Sequence, residues 1–266
     1  MSEKNNTPAI IGIVAAAIIA LIIGLNSGNK AEPEPNSEPQ EPDFLKKGLV
    51  AYYPFNGNAN DESGNGHNGV LNGVTATEDR NGKMDKAFFL DGKSYITTPD
   101  SESLRPQHIT ITAWVKTDGL GMIVSKTKND AWGEQYYLHY GHFGEPKINF
   151  SIKRNSGGNP GSGWQRGLSD DSVENRISGQ GWVMLCASWD GEKQKVYLNG
   201  NKVGQNENAP AGGIDDVEGG KLFIGRMWDG DPSYFRGSLD DIRIYKRALT
   251  EEQVKALYEW EKPKAE

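Results

Sequence analysis

From Gly48 onward, hydrophobic side chains alternate with polar ones along short stretches of the sequence. One face of 49–55 carries Leu, Ala, Tyr and Phe, and one face of 109–115 carries Ile, Ile, Ala and Val. Because successive side chains of a strand point to opposite faces, this period of two predicts half-buried β-strands. Further strand signals lie at 87–90, 95–98, 122–126, 136–140, 148–152, 182–189, 195–198, 222–225 and 239–245. About a dozen strands without intervening helices predict an all-β fold, with two antiparallel sheets stacked as a sandwich.

Two turns and one helix stand out from this pattern. Asp190-Gly191 separates two strand signals, and Asn199-Gly200 follows the second of them directly. Such pairs favour the tight turns of β-hairpins. Thr250 and, three residues later, Gln253 can form a capping box ahead of a helical hydrophobic pattern. We therefore expect a short C-terminal helix.

The N-terminal region contains an uninterrupted run of 17 apolar or glycine residues at 9–25, with Lys4 before it. The run lacks the polar stripe of a soluble surface helix, and it reaches the lower end of the roughly 17–25 residues that span a bilayer. It predicts a transmembrane helix or signal anchor after a tail at 1–8. The run exceeds the roughly 7–15 residues of a signal-peptide core, which favours retention. Secretion after cleavage and a buried helix stay open as alternatives.

Residues 26–47 are polar and interleave prolines with glutamates. Closely spaced prolines block helix and sheet, and the like charges repel, so the segment predicts an extended acidic stalk. Lys4 and the stalk together place the C-terminal part outside the cytoplasm of a single-pass membrane protein. We expect one domain at 48–260 and a C-terminal tail at 261–266.

Composition narrows the possible chemistry. The one cysteine, Cys186, permits no intrachain disulfide, and four histidines with one cysteine do not suggest a zinc cluster. The formal net charge is −7, and residues 1–43 carry a net −4 of it. Since the sequence has no basic patch, nucleic acid is not an expected partner. The 33 glycines suit a fold with many turns.

Three stretches together resemble the laminin-G-like branch of the concanavalin-A-like jelly-roll superfamily. They are GLVAYYPFNG at 48–57 with NDESGNGHNG at 60–69, the segment 182–200, and GSLDDIRIYKRALT at 237–250. The resemblance covers nearly all of residues 48–258. It implies a single two-sheet jelly roll whose first and last strands are close in space. The superfamily includes lectins, glycoside hydrolases, adhesion modules and spacers, so the fold alone does not give the function.

An Asn- and Asp-rich loop at 56–68 offers the oxygen atoms that a hard cation prefers, although the same residues also form turns. The alternation of the last strand breaks at Asp240-Asp241, which predicts a β-bulge with adjacent carboxylates. A cation would neutralise them, as would backbone N–H groups, Arg243 or Arg247. The resembled family often carries structural calcium in such loops. We therefore predict a calcium cofactor bound by Asp61, Asn65, Asn68, Asp240 and Asp241.

Aromatic residues outside the expected core form a second candidate site. Sugar rings present apolar C–H faces that stack on such rings, while polar neighbours bind the hydroxyl groups. Loop or core packing is the competing explanation. The segment 154–177 is expected to be a long irregular loop, which is uncommon in compact domains unless it is functional or disordered. The predicted ligand-binding residues are Trp132, Tyr137, His139, Trp164, Trp228 and Tyr234.

Enzymatic activity has little support in the sequence. Retaining glucanases of similar fold carry a Glu-x-Asp-x-x-Glu or Glu-x-Asp-x-Glu strand motif, because the mechanism needs two carboxyl groups about 5–5.5 Å apart. Neither motif occurs in this sequence. We therefore expect a non-catalytic module that binds glycan or extracellular protein. A structural surface module without a small-molecule ligand and an unrecognised hydrolase are the alternatives.

Overall fold

The computed structural model describes residues 41–264 apart from positions 118, 129–133, 143–144, 154–163, 169–172, 174–175, 207–211 and 230–232. The apolar run at 9–25 and most of the stalk lie outside these residues, so the membrane segment stays a prediction. No helix within the described ranges is long and apolar enough to cross a membrane.

The described residues form fifteen strands and one α-helix, with short 3-10 turns at Asp43–Leu45 and Glu102–Leu104. The strands are β1 (Leu49–Tyr53), β2 (Val70–Asn72), β3 (Thr75–Thr77), β4 (Ala87–Asp91), β5 (Tyr95–Thr98), β6 (Ile109–Lys116), β7 (Gly121–Thr127), β8 (Glu134–His142), β9 (Glu145–Lys153), β10 (Trp164–Leu168), β11 (Val183–Trp189), β12 (Gln194–Leu198), β13 (Asn201–Asn206), β14 (Lys221–Ile224) and β15 (Arg236–Tyr245). The helix is α1 (Glu251–Glu261).

These strands form two antiparallel sheets, which confirms the predicted sandwich. The eight-stranded sheet has the order β13-β12-β11-β6-β15-β4-β3, and β1 also pairs with β15. The seven-stranded sheet has the order β10-β9-β8-β7-β14-β5-β2. The first and last strands are therefore hydrogen-bonded neighbours, as the family resemblance implied.

The inward positions of the alternating pattern make one core between the sheets. Ile111 and Trp189 of the eight-stranded sheet and Leu138 and Leu222 of the seven-stranded sheet belong to it, and each is fully buried. Burial of one such side chain contributes about 1.5–3 kcal/mol relative to exposure.

The predicted bulge in the last strand is confirmed. The register of β15 against β6 shifts between Asp240 and Arg243, and Asp241 has a φ of 42°. Before the bulge, β15 pairs with β4, and after it β15 pairs with β1. The bulge thus lies where one strand changes partners.

The predicted hairpins and helix are also present. Asn199 and Gly200 have φ angles of 49° and 76°, as a tight turn between β12 and β13 requires. The Thr250 side chain accepts from the Gln253 backbone N–H, and the Gln253 side chain accepts from Thr250, so the capping box is complete. Helix α1 packs its apolar residues on the outer face of the eight-stranded sheet, against Trp114, Met184, Cys186, Tyr197 and Tyr245.

Three strands were missed from the sequence. β2 and β3 have three residues each, too few to give a visible period. The segment 154–177, expected to be an irregular loop, contains β10, which pairs with β9 at the edge of its sheet. Its sequence, Trp-Gln-Arg-Gly-Leu, has a glycine and few β-branched residues, so propensity gives no strand signal there.

Gly225, just after β14, should tolerate no side chain. A Cβ built there lies 2.0 Å from Leu90 Cδ2, whereas one built at Gly82, with a similarly positive φ, meets nothing within 4 Å. Gly82→Ala should cost about 1–2 kcal/mol for the left-handed backbone, and Gly225→Ala should cost about 1–3 kcal/mol more for overpacking. Urea unfolding of both variants measures the difference. Equal losses would show that the core around Leu90 is looser than described.

Candidate ligand-binding site

The predicted calcium loop covers the free edge of β1. On that edge, the Tyr52 backbone N–H donates to Asp61 Oδ1 at 2.9 Å, and the Tyr52 carbonyl accepts from the Glu62 backbone at 2.8 Å. The Asn65 side chain and the Ser63 hydroxyl both donate to the Val50 carbonyl, each at 2.9 Å. An uncovered edge strand invites pairing with another chain, so the loop protects β1 with side-chain hydrogen bonds.

The side-chain oxygens of Asp61 and Asn68 already accept hydrogen bonds from backbone donors. Asp61 also accepts from the backbone N–H groups of Ser63 and His67, each at 2.9 Å. Asn68 Oδ1 in turn accepts from the Asp61 backbone at 2.9 Å. Burial works to raise the pKa of Asp61. The hydrogen bonds that its carboxylate accepts from Tyr52, Ser63 and His67 outweigh burial and hold the pKa below its usual value.

Asp240 and Asp241 both form ion pairs with one arginine. Arg80 Nη1 lies 2.5 Å from Asp240 Oδ2 and 2.5 Å from Asp241 Oδ2. Tyr52 Oη donates to Asp241 Oδ1 at 2.5 Å. Arg243, one of the competitors expected from the sequence, contributes more weakly, with Nη1 at 3.7 Å from Asp241 Oδ1. The side chain of Arg80 therefore supplies positive charge where a cation was predicted.

The same cluster holds the end of helix α1. Arg80 Nε donates to the Glu261 carbonyl at 2.7 Å. The buried Glu261 carboxylate accepts from Arg243 and, at 2.8 Å, from Trp114 Nε1. Arg243 also stacks over the Tyr52 ring, 3.7 Å from its centroid. The whole group has two guanidinium groups and three carboxyl groups, and burial together with the neighbouring Asp241 charge raises the pKa of Asp240.

The described residues do not fit a calcium ion shared by the loop and the bulge. Asp61 and Asn65 form hydrogen bonds with the backbone of β1. Asp240 and Asp241 form ion pairs with Arg80. No group of three acidic, His or Cys side chains able to hold a metal occurs in the described ranges. Calcium binding by Asp61, Asn65, Asn68, Asp240 and Asp241 stays a prediction.

An arginine surrounded by aromatic rings lies on the other side of the molecule. Leu222, Ile224 and Ile96 point into the core, so their neighbours Phe223 and Tyr95 point to the outer face of the seven-stranded sheet. The guanidinium carbon of Arg226 lies 4.5 Å from the Tyr95 ring centroid and 5.9 Å from that of Phe223. It lies 5.0 Å from the Tyr234 ring. We call Tyr95, Phe223, Arg226 and Tyr234 the arginine–aromatic cluster.

Hydrogen bonds hold the two described ends of the loop that carries this cluster. Phe235 N–H donates to the Gly225 carbonyl at 2.8 Å and closes the loop at its base. The Ser125 hydroxyl, on β7, is 3.0 Å from the Arg226 carbonyl and 2.7 Å from the Met227 carbonyl. Trp228, next in sequence, is partly exposed. The partly exposed Trp228 side chain therefore directly follows a backbone segment that is held by hydrogen bonds.

Four of the six predicted aromatic-site residues lie on this face or in this loop. Tyr234 belongs to the arginine–aromatic cluster, and Trp228 is two residues after Arg226. Tyr137 and His139 point to the same outer face from β8, and Tyr137 is opposite Ser125 in the register. Tyr137 is buried, at 8% exposure, so it is not an open platform.

The other two residues are not tested. Trp164 begins β10, but its side chain is not described, and Trp132 lies outside the described residues. Tyr95 and Arg226 were missed by the sequence analysis. The strand signal at 95–98 could have identified Tyr95. Ile96 points into the core, and the preceding side chain of a strand points to the opposite face.

These features define a class of protein: an all-β sandwich with one outer face covered by a helix and a cluster of aromatic and charged residues on the other. The chain belongs to the concanavalin A-like lectin/glucanase superfamily, whose laminin-G-like family model matches residues 90–255.

Solved structures support the fold. Domain 4 of AbnA, a GH43 extracellular arabinanase from Geobacillus stearothermophilus, in complex with arabinotriose, has 26% identity and a TM-score of 0.58, over 79% of this chain and 98% of that one. The binding domain of Paraclostridial Mosquitocidal Protein 1 has 19% identity and a TM-score of 0.62, over 80% of this chain and 52% of that one.

The binding domain of Botulinum neurotoxin DC in complex with SialylT has 15% identity and a TM-score of 0.58, over 80% of this chain and 52% of that one. The chain thus spans about half the length of the toxin binding domains that it matches. At this identity, those toxins show the fold alone. A search of curated protein sequences finds no match.

The buried acidic cluster should make stability depend on pH. Burial and the neighbouring Asp241 charge raise the pKa of Asp240. A carboxyl group whose pKa is raised by folding binds its proton more tightly in the folded state, so stability falls as pH rises above about 4. Asp240→Asn removes this titration.

The predicted quantity is the unfolding free energy of the wild type minus that of Asp240→Asn. This difference should decrease between about pH 5 and about pH 8, by at most about 1.4 kcal/mol per pH unit. Thermal melts at several pH values measure it. A difference that is the same at every pH would contradict the raised pKa.

Proposed function

We propose that the protein is a non-catalytic recognition module, tethered to a cell surface or exported, that binds glycan through the outer face of its seven-stranded sheet. The observation that carries this proposal is the arginine–aromatic cluster with the partly exposed Trp228 beside it. Extracellular protein is the alternative ligand.

The chemistry of the cluster suits a sugar. The apolar C–H face of a pyranose or furanose ring stacks on an indole or phenol ring, and charged side chains bind its hydroxyl groups. Trp228 and Tyr234 are partly exposed and can supply the rings. Because hydrogen bonds hold the backbone of Arg226 and Met227, little backbone entropy of that segment is lost on binding.

The comparisons support a binding module. The arabinanase domain is described in complex with arabinotriose, and other similar structures are binding domains, one of them in complex with rat synaptotagmin II. These ligands belong to those proteins, and the ligand of this chain is a matter for experiment. The sequence contains neither glucanase motif, which agrees with a binding role.

Tethering is part of the same proposal. The apolar run at 9–25 would anchor the chain, and the stalk at 26–47 would hold the sandwich away from the bilayer. Since the stalk is acidic, it would not lie on an anionic membrane surface.

Truncation of Trp228 or Tyr234 should weaken glycan binding. Loss of a stacked, desolvated ring commonly costs about 2 kcal/mol or more, which is roughly a thirtyfold loss of affinity. Trp228→Ala and Tyr234→Ala should therefore bind a glycan identified on an array at least about tenfold more weakly, with little change in Tm. Titration calorimetry and thermal melts measure the two effects.

Phe89→Ala is the matched control for that experiment. Phe89 is an aromatic residue 37% exposed on the outer face of the eight-stranded sheet, away from the cluster. Its truncation should leave the affinity unchanged. Wild-type affinity in both loop variants would place the glycan site elsewhere, and an array without any glycan ligand would favour a protein ligand or a structural role.

The full-length chain should sediment with membranes when it is expressed in cells, because residues 9–25 are long enough to span a bilayer. A chain that begins at residue 44 should stay in the supernatant. Protease added to intact cells should remove the sandwich domain from the full-length protein. Recovery of the full-length chain in the soluble fraction would contradict tethering.

A further inference from the structure

The charge balance at the arginine–aromatic cluster differs from that of a neutral sugar site. Arg226 Nη1 lies 3.2 Å from Asp229 Oδ1, and Lys221 Nζ lies 3.5 Å from Asp229 Oδ2. One carboxylate is thus shared by two cations. Among the charged groups described at this point of the surface, positive charge is in excess by one.

Arg226 is also incompletely hydrogen-bonded. The residue is 5% exposed, and its Nε atom is enclosed without a hydrogen-bond acceptor among the described residues. Its contact with Asp229 is a single ion-pair approach through Nη1. A guanidinium group has five donors and matches a carboxylate with two parallel hydrogen bonds. Among the described residues, the donors of Arg226 therefore exceed the acceptors that they contact.

The surrounding rings hold the guanidinium group in place without neutralising it. Tyr95 and Tyr234 lie within about 5 Å of its carbon, so cation–π attraction fixes its position while the charge remains. Asp229, by contrast, is 38% exposed, and its ion pair with Lys221, which is 51% exposed, lies near solvent. Because exposed ion pairs are weak, an incoming anion can compete with Asp229 for Lys221.

We propose that this site selects glycans that carry a carboxylate, such as uronic acid or sialic acid residues. The inference rests on the proposed glycan-binding function and specifies its ligand class. The sugar ring stacks on Trp228 or Tyr234, and the carboxylate pairs with Arg226 and Lys221 in competition with Asp229.

The test compares each acidic glycan with its own neutral form. The probes are oligogalacturonate, a hyaluronan tetrasaccharide and 3′-sialyllactose, each with its methyl ester, in titrations against the full-length protein in detergent. At least one acidic probe should bind roughly tenfold or more tightly than its ester, a difference of about 1.4 kcal/mol. Higher salt should reduce that preference, because the Debye length falls to about 3 Å at 1 M.

Substitutions at two exposed residues should change the affinity for the acidic probe in opposite directions. Asp229→Asn removes the competing carboxylate and should tighten binding of the acidic probe severalfold. Lys221→Gln removes one of the two cations and should weaken it severalfold. Neither change should affect binding of the methyl ester, and Tm should move little, because both side chains lie near solvent.

The outcomes separate the two proposals. If neutral glycans bind and esters bind as well as acids, or if Asp229→Asn weakens acidic binding, the carboxylate preference is wrong while glycan recognition stands. If neither acidic nor neutral glycans bind, both proposals are wrong. A tighter Asp229→Asn variant together with a weaker Lys221→Gln variant, on an acidic probe only, supports the inference.

Discussion

Two adjacent carboxylates buried at the bulge of β15 impose the constraint on which the rest of the fold depends. Unpaired buried charge is costly, and removal of one partner of a buried pair commonly costs about 3–5 kcal/mol. Arg80 meets that requirement, because its one Nη1 atom reaches both Asp240 and Asp241, and its Nε atom caps the last turn of α1 at Glu261. A single guanidinium group therefore ties the segment before β4, the last strand and the C-terminal helix together.

This junction makes the two outer faces of the sandwich different. The bulge lets β15 pair first with β4 and then with β1, and Arg243, through Glu261, fixes α1 against the eight-stranded sheet. The helix buries Trp114 and other outward residues of that sheet, so its outer face is largely occupied. Within the described ranges no helix packs on the seven-stranded sheet, whose outer face instead carries the arginine–aromatic cluster. The packing requirement of one sheet thus leaves the other available for recognition.

Local patterns in the sequence predicted most of this fold but not the partners of its charges. Alternation found the longer strands, and the break of alternation found the bulge, because both depend on neighbouring residues. The Arg80 contact joins residues 160 positions apart, and no local pattern records such a distance. The Asp61 loop was predicted to bind a cation from its oxygen-rich composition, yet in the fold those oxygens accept backbone N–H groups of and near β1. Composition identified the donors and acceptors, whereas topology decided what they bind.

The arginines of the two faces show how charge balance separates a structural role from a recognition role. Near α1, Arg80 and Arg243 meet three carboxyl groups in a buried setting, so both guanidinium groups are paired within the protein. Arg226 shares Asp229 with Lys221, and its enclosed Nε has no acceptor in the described part of the chain. Aromatic rings stabilise Arg226 by cation–π attraction, which preserves its positive charge. Among the described carboxylates Arg226 pairs with Asp229 alone, so an external carboxylate that displaces Asp229 would pair with its preserved charge, and this is the physical basis for assigning ligand selection to the seven-stranded face.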